Sequence, residues 1–98
     1  MNGKLKRVRG GANVFRDLGF GKAEAENLKL RSALMQRIEE TYRQSGLTQA
    51  EAASALGLTQ PRLNALLKGK IGQFSLDALV NVATRAGLDV RLVVKKAA

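Results

Sequence analysis

Neither cysteine nor histidine occurs in this 98-residue chain. Without cysteine there is no disulfide, no thiolate nucleophile and no thiolate metal site. Without histidine the commonest general base and metal ligand is missing as well. An enzyme would have to build its centre from scattered Asp, Glu, Ser and Lys, and no recurring catalytic motif arranges them. The chain therefore reads as a non-enzyme with no cofactor and no metal site. Aromatic residues are few, three Phe and one Tyr, and the Gly-flanked stacking aromatics of single-strand RNA binders are absent. No apolar run approaches the roughly 20 residues of a membrane span, and the basic start lacks the apolar stretch of a signal peptide. These absences predict a cytoplasmic protein with no membrane partner.

Acidic residues are also scarce. Eight Asp and Glu face seventeen Lys and Arg, a formal charge of +9. That balance suits nucleic acid, although ribosomal, membrane-surface and tag-bearing proteins share it. A chain this short forms one small domain and buries only about 60 to 65% of its unfolded surface, so oligomerisation would help it.

The most informative stretch is Leu47 to Gly69, LTQAEAASALGLTQPRLNALLKG. Thr48 and Glu51 have the spacing of a capping box, in which the hydroxyl and the carboxylate each take the other residue's amide. Gly57 follows Leu56 where a tight turn needs positive φ. Thr59 then caps a second helix that carries Pro61 in its first turn, where a missing N–H does no harm. Gly69 can close that helix in left-handed geometry. Two helices of two to three turns joined by about three residues form a helix-turn-helix, the arrangement that lays a second helix into a major groove. Ala52, Ala53, Leu56, Leu58, Leu63 and Leu66 fall where two crossing helices need small or apolar side chains. Gln60, Arg62, Asn64 and Lys68 remain as the polar residues of the second helix, and Arg, Asn and Gln hydrogen-bond base edges bidentately. No acid lies between Ala52 and Leu76, whereas Arg62, Lys68 and Lys70 do, so this segment is locally positive.

Leu47-Thr48-Gln49, Ala53, Gly57, Leu58-Thr59-Gln60, Leu63 and Lys68-Gly69-Lys70 together resemble the helix-turn-helix of the Cro/C1-type, or XRE, family of bacterial and phage regulators. Upstream, Asn13 to Phe20, with a Gly87-led C-terminal strand, resembles a subgroup that includes HigA-like antitoxins. The family resemblance implies that Gln49 contacts backbone phosphate and braces Gln60. It also implies a possible toxin partner, a HigB-like ribonuclease of the RelE type. Pro61 and Ala65 depart from the family pattern, standing where many members carry polar residues that touch DNA, which shifts base reading onto Gln60, Arg62 and Asn64.

Taken in order, residues 1–12 carry Lys4, Lys6, Arg7 and Arg9 among glycines and read as a flexible basic arm. Such an arm can reach a minor groove, or it simply aids solubility. Residues 13–98 read as a single domain. Phe15 and Phe20 suggest an anchored segment that packs on the helical body or hooks a partner, and Gly19 and Gly21 suggest turns. Ala23 to Ser45 reads as the longest helix, with Leu30, Leu34, Ile38 and Tyr42 every four residues, Leu28 and Met35 widening the stripe, and Gly46 as the stop. After a Gly-containing loop from Lys70 to Phe74, Ser75 caps a further helix with Leu76, Leu79, Val80, Val82 and Ala83 as its apolar positions and its end at Gly87. From Leu88 the period changes to two. Leu88, Val90, Leu92 and Val94 share one side of a strand spanning 88–95, and no second strand is evident. Such a strand pairs with the same strand of a second chain, with a sheet edge of another protein, or back onto its own N-terminal segment.

The expected fold is mainly α, a compact bundle of four to five helices with one C-terminal strand pairing across a dimer. The expected function is that of a sequence-specific, autoregulating repressor acting as a homodimer on an inverted repeat of double-stranded DNA. Gln60, Arg62 and Asn64 are its candidate base contacts. Gln49, Thr59, Lys68, Lys70 and Gln73 are its candidate phosphate contacts. The alternatives are an antitoxin that binds a ribonuclease toxin while repressing its own operon, nonspecific RNA binding, and an ordinary solvated polar helix face.

Overall fold

The computed structural model of the chain describes the backbone of residues 12–96 and the side chains of residues 21–96. Four α-helices follow one another among these residues: α1 (Ala12–Ser45), α2 (Gln49–Leu56), α3 (Gln60–Leu67) and α4 (Leu76–Arg85), with a single 3₁₀ turn at Ile71–Gln73 between the last two. The chain divides into two units, residues 1–30 and 31–98, with the boundary inside α1.

In the first unit α1 runs from Ala12 straight through Gly19 and Gly21. The turns expected at those glycines do not form. Each Gly costs a helix only about 1 kcal/mol relative to Ala, and the Ala, Glu, Leu and Lys residues from 22 to 30 are strong helix formers that absorb it. Gly21 has no steric reason to be Gly, since a Cβ there meets nothing within 4 Å. The basic arm expected over 1–12 lies outside the described residues except for Ala12, which opens the helix. The side chains of Phe15 and Phe20 lie outside them too. Leu28 and Leu30 are 40% and 46% exposed, so the apolar stripe expected from Leu28 onward starts later.

The second unit holds the core. α1 contributes Met35 and Ile38, with Leu34 and Tyr42 packed at its margin. α2 contributes Ala52, Ala53 and Leu56; α3 contributes Leu63, Ala65 and Leu66; α4 contributes Leu79, Val82 and Ala83. Every helix start after α1 is capped as its sequence predicts. The Thr48 hydroxyl accepts from the Glu51 amide at 3.2 Å, while the Thr48 amide donates to the Glu51 carboxylate at 2.9 Å. The Thr59 hydroxyl accepts from the Arg62 amide and the Ser75 hydroxyl from the Ala78 amide. These bonds matter because helices of eight to ten residues are too short to persist without caps and packing.

The helix ends share one device. Gly57, at φ +72°, lets the Leu58 amide turn back to the Ala53 carbonyl at 2.8 Å. The amides of Lys70 and Leu88 close α3 and α4 in the same way on Ala65 and Ala83. In each case an alanine of the core stands four residues before the turning glycine, so the chain is turned where the helix is most tightly packed. Gly57 is further constrained because the Arg85 guanidinium passes over it, 3.1 Å from where a Cβ would stand.

Phe74 completes the core from outside any helix and is 1% exposed. Two arginines hold the loop that carries it. Arg31 of α1 donates through Nη1 to the carbonyls of Ile71 and Phe74, at 3.1 and 3.2 Å. Arg62 of α3 donates to the Gln73 carbonyl at 3.0 Å and lies over the Phe74 ring, 4.3 Å from its centroid. Within the 3₁₀ turn the Phe74 amide also donates to the Ile71 carbonyl, at 3.2 Å, and the charged donors satisfy the carbonyls that follow it well.

The strand expected over 88–95 is not formed: residues 88–96 belong to no helix or strand among the described residues. The physical reason is the one the sequence raises, since a ladder needs two strands and the single chain supplies one candidate. Leu88 packs on the core margin, whereas Leu92, Val93 and Val94 are 73 to 82% exposed.

Three outcomes follow for stability. Gly57→Ala forces a Cβ into left-handed backbone at a cost of about 1–2 kcal/mol, so thermal unfolding followed by circular dichroism shifts down by roughly 5–10 °C. Gly72→Ala, where a Cβ meets nothing within 4 Å, stays within about 0.5 kcal/mol of the parent. A double-mutant cycle of Arg62→Met and Phe74→Leu gives a coupling energy of about 0.5–1 kcal/mol if the guanidinium holds the ring; additive losses would remove that role.

Candidate nucleic-acid interface

Successive residues of a helix step by about 100°, so i and i+4 are only ~40° apart. On α3 this places Gln60, Asn64 and Lys68 along one edge. Gln60 and Lys68 are exposed and Asn64 is half-buried. The opposite side carries Leu63, Ala65 and Leu66, all buried. The face that α3 offers outward is thus polar, amide-rich and cationic at its C-terminal end. Pro61, exposed in the first turn, adds a rigid apolar surface beside Gln60.

Arg62 is not on that edge. It stands ~160° from Asn64 around the helix, on the side turned to the Phe74 loop, with one guanidinium nitrogen committed to Gln73 and the plane resting on Phe74. The three residues expected to read bases are therefore split, with Gln60 and Asn64 together and Arg62 apart. Ala65 is 9% exposed and part of the core. Its departure from the polar residues of the family pattern has a packing reason here, because a longer polar side chain at this position would be buried.

The expected phosphate contacts surround α3. Gln49 is the first residue of α2, exposed beside the Thr48 cap. Thr59 uses its oxygen to cap α3 and keeps its hydroxyl proton for an acceptor outside the chain. Lys68, Lys70 and Gln73 follow α3 within six residues and are all exposed. The 3₁₀ turn fixes the backbone between Lys70 and Gln73, and the Arg31 and Arg62 bonds fix the turn. Between Glu51 and Asp77 no carboxylate interrupts this surface. A short helix whose amide side chains and flanking lysines point outward can seat a polyanion and hydrogen-bond its base edges.

Sequence reasoning gave no role to Arg31 or Phe74. Arg31 resembles any cation on a helix surface, and its acceptors lie 40 and 43 residues away, so no local spacing could have disclosed it. Phe74 carried one available signal: a lone aromatic in a polar, Gly-containing loop has nowhere apolar to go except the core. Among the described residues no group of three or more His, Cys, Asp or Glu could hold a metal ion, and no helix is long and apolar enough to cross a membrane.

Comparison with known proteins agrees with this geometry. Residues 14–95 match the family model of a helix-turn-helix domain. A solved structure assigned by name to the XRE family of transcriptional regulators superposes with a TM-score of 0.70 at 30% sequence identity, over 76% of this chain and 83% of that one. No curated protein matches the chain. With four-fifths of its length inside the helix-turn-helix family and a fold and sequence shared with a regulator of that type, the chain belongs to the XRE-type DNA-binding transcriptional regulators.

Proposed function

We propose that the protein is a sequence-specific repressor that binds double-stranded DNA as a homodimer on an inverted repeat, including one in its own upstream region. The observation that carries this reading is the outward edge of α3, where Gln60, Asn64 and Lys68 line up in a segment free of carboxylates. Gln60 and Asn64 read base edges. Gln49, Thr59, Lys68, Lys70 and Gln73 hold phosphates, and Gln49 braces Gln60 as the family resemblance implies. Arg62 acts from the other side of α3 by holding the loop that presents Lys70 and Gln73, and its uncommitted N–H groups are available to the DNA edge nearest Thr59. Two copies related by a two-fold axis place two such helices about 34 Å apart, in successive major grooves.

A second reading is that the chain is an antitoxin, which also binds a small basic ribonuclease toxin. It is favoured by the exposed Val90, Leu92, Val93 and Val94, which suit the edge of another protein's sheet. A small basic reading frame adjacent to the gene, whose product co-purifies with this chain, decides for it.

Footprinting on the upstream region, with scrambled DNA as competitor and at two salt concentrations, tests the main reading. The expected result is an inverted repeat that stays protected under competition. Equal protection of scrambled DNA that collapses with salt would leave only the +9 charge acting. Gln60→Ala and Asn64→Ala each cost about 1–3 kcal/mol on the repeat and little on scrambled DNA. Lys70→Ala weakens both equally and lowers the salt slope by about one. Arg62→Ala separates its two roles: equal losses on both DNAs mark the loop clamp, and a loss confined to the repeat marks a base contact.

A further inference from the structure

A pocket of about 140 Å³ opens where the last turns of α1 meet α2 and the end of α4. Ile38, Ala52 and Leu56 line it from the core, and Tyr42, Ala55 and Ala86 line it nearer the solvent. Its size is close to the roughly 150 Å³ that holds a benzene ring in an apolar cavity. No carboxylate lines it, and its single charged group is Arg85. That guanidinium lies over Gly57, 3.1 Å from where a Cβ would stand. Arg31 and Arg62 are committed to the Phe74 loop, whereas Arg85 forms no ion pair or hydrogen bond among the described residues. The two aliphatic hydroxyls at the pocket are already used as donors. Thr41 donates to the Arg37 carbonyl at 2.9 Å, and Ser45 donates to the Tyr42 carbonyl at 2.6 Å while accepting from the Leu47 amide at 3.1 Å. A ligand therefore meets an apolar slot, one tyrosine ring and one uncommitted cation.

We infer that this pocket binds a small aryl carboxylate, with the ring inside against Tyr42 and the carboxylate on Arg85. Each part of that ligand answers a separate feature of the site. The volume limits the body of the ligand to about one ring. The apolar lining selects a hydrocarbon over a sugar or a peptide backbone, whose polar groups would lose water there without finding partners. Tyr42 selects an aromatic ring over an aliphatic chain, because offset or edge-to-face contact adds to what burial of area supplies. Arg85 selects an anion, and its planar fork matches the two oxygens of a carboxylate. Inorganic phosphate satisfies the cation but leaves the slot unfilled, and a cationic amine satisfies the slot but meets a like charge. Only a ligand with both parts uses everything the pocket offers.

Benzoate titrated into the isotope-labelled full-length protein, followed by amide chemical shifts, tests this assignment. The expected result is saturable binding with a dissociation constant of about 1 mM or below, and shifts centred on Tyr42, Ala55, Gly57 and Ala86. Benzyl alcohol keeps the ring without the charge and binds about tenfold more weakly. Acetate keeps the charge without the ring and does not saturate. Arg85→Met removes the preference for benzoate over benzyl alcohol. Ala55→Leu narrows the pocket with a residue that suits a helix, and weakens both ligands about tenfold. Helical circular dichroism stays unchanged in both variants, which separates loss of the site from loss of the fold. Benzoate that binds the parent and Arg85→Met equally overturns the pairing with Arg85. Shifts spread over the surface lysines and arginines in place of the pocket, or no saturation by about 10 mM, overturn the site itself.

Discussion

Phe74 closes the core from a loop, and its burial sets the positions of the elements around it. The ring can stay inside only if the turn that carries it is held, and that turn has just two backbone bonds closing it, from the Gln73 amide to the Lys70 carbonyl at 3.0 Å and from the Phe74 amide to the Ile71 carbonyl at 3.2 Å. Arg31 and Arg62 supply the missing donors from two different helices. Leaving the Gln73 and Phe74 carbonyls unpaired would cost about 1–3 kcal/mol each, a large share of the stability of a domain this small. The same bonds decide where Lys70 and Gln73 stand, since both lie on the clamped turn. The bonds that keep the body together and the polar groups proposed to face DNA thus meet in one short loop.

This arrangement gives the lysines and the arginine of the segment different work. Lys68 and Lys70 are exposed, and their charge is free for a polyanion. Arg62 is exposed as well, but its guanidinium is laid against a ring and a carbonyl, which its planar geometry suits better than the point charge of a lysine. Under the proposed function, base discrimination falls to Gln60 and Asn64, two amides one turn apart, with the rigid Pro61 limiting how the first turn of α3 can adjust. A pair of amides on a fixed edge selects by the pattern of donors and acceptors, not by charge.

The helix boundaries were legible because they depend on neighbours. Thr48 with Glu51, Thr59 with Pro61, Ser75, and the glycines at 57, 69 and 87 each act within a few residues of themselves, so spacing reveals them. The core positions of α2, and Leu63 and Leu66 of α3, followed from the same register, whereas the burial of Ala65 did not. What the sequence concealed depends on distance. The Arg62 acceptor lies eleven residues away and those of Arg31 some forty, and neither pairing leaves a mark on local pattern. Gly19 and Gly21 misled for the opposite reason: their turn preference is real but weak, and the helix formers that follow outweigh it. The period of two after Leu88 is a true feature of the chain whose hydrogen-bond partner the chain itself does not contain.

Helices α2 and α3 are each eight residues long, below the length at which an isolated helix holds its shape in water. The surface offered to DNA therefore has no existence apart from the packed body: cut out as a peptide it is a coil, and it cannot soften by degrees while the core survives. Heating past the melting point removes the reading edge and the fold in the same step. Loss of that edge on heating therefore tracks the packing around Phe74.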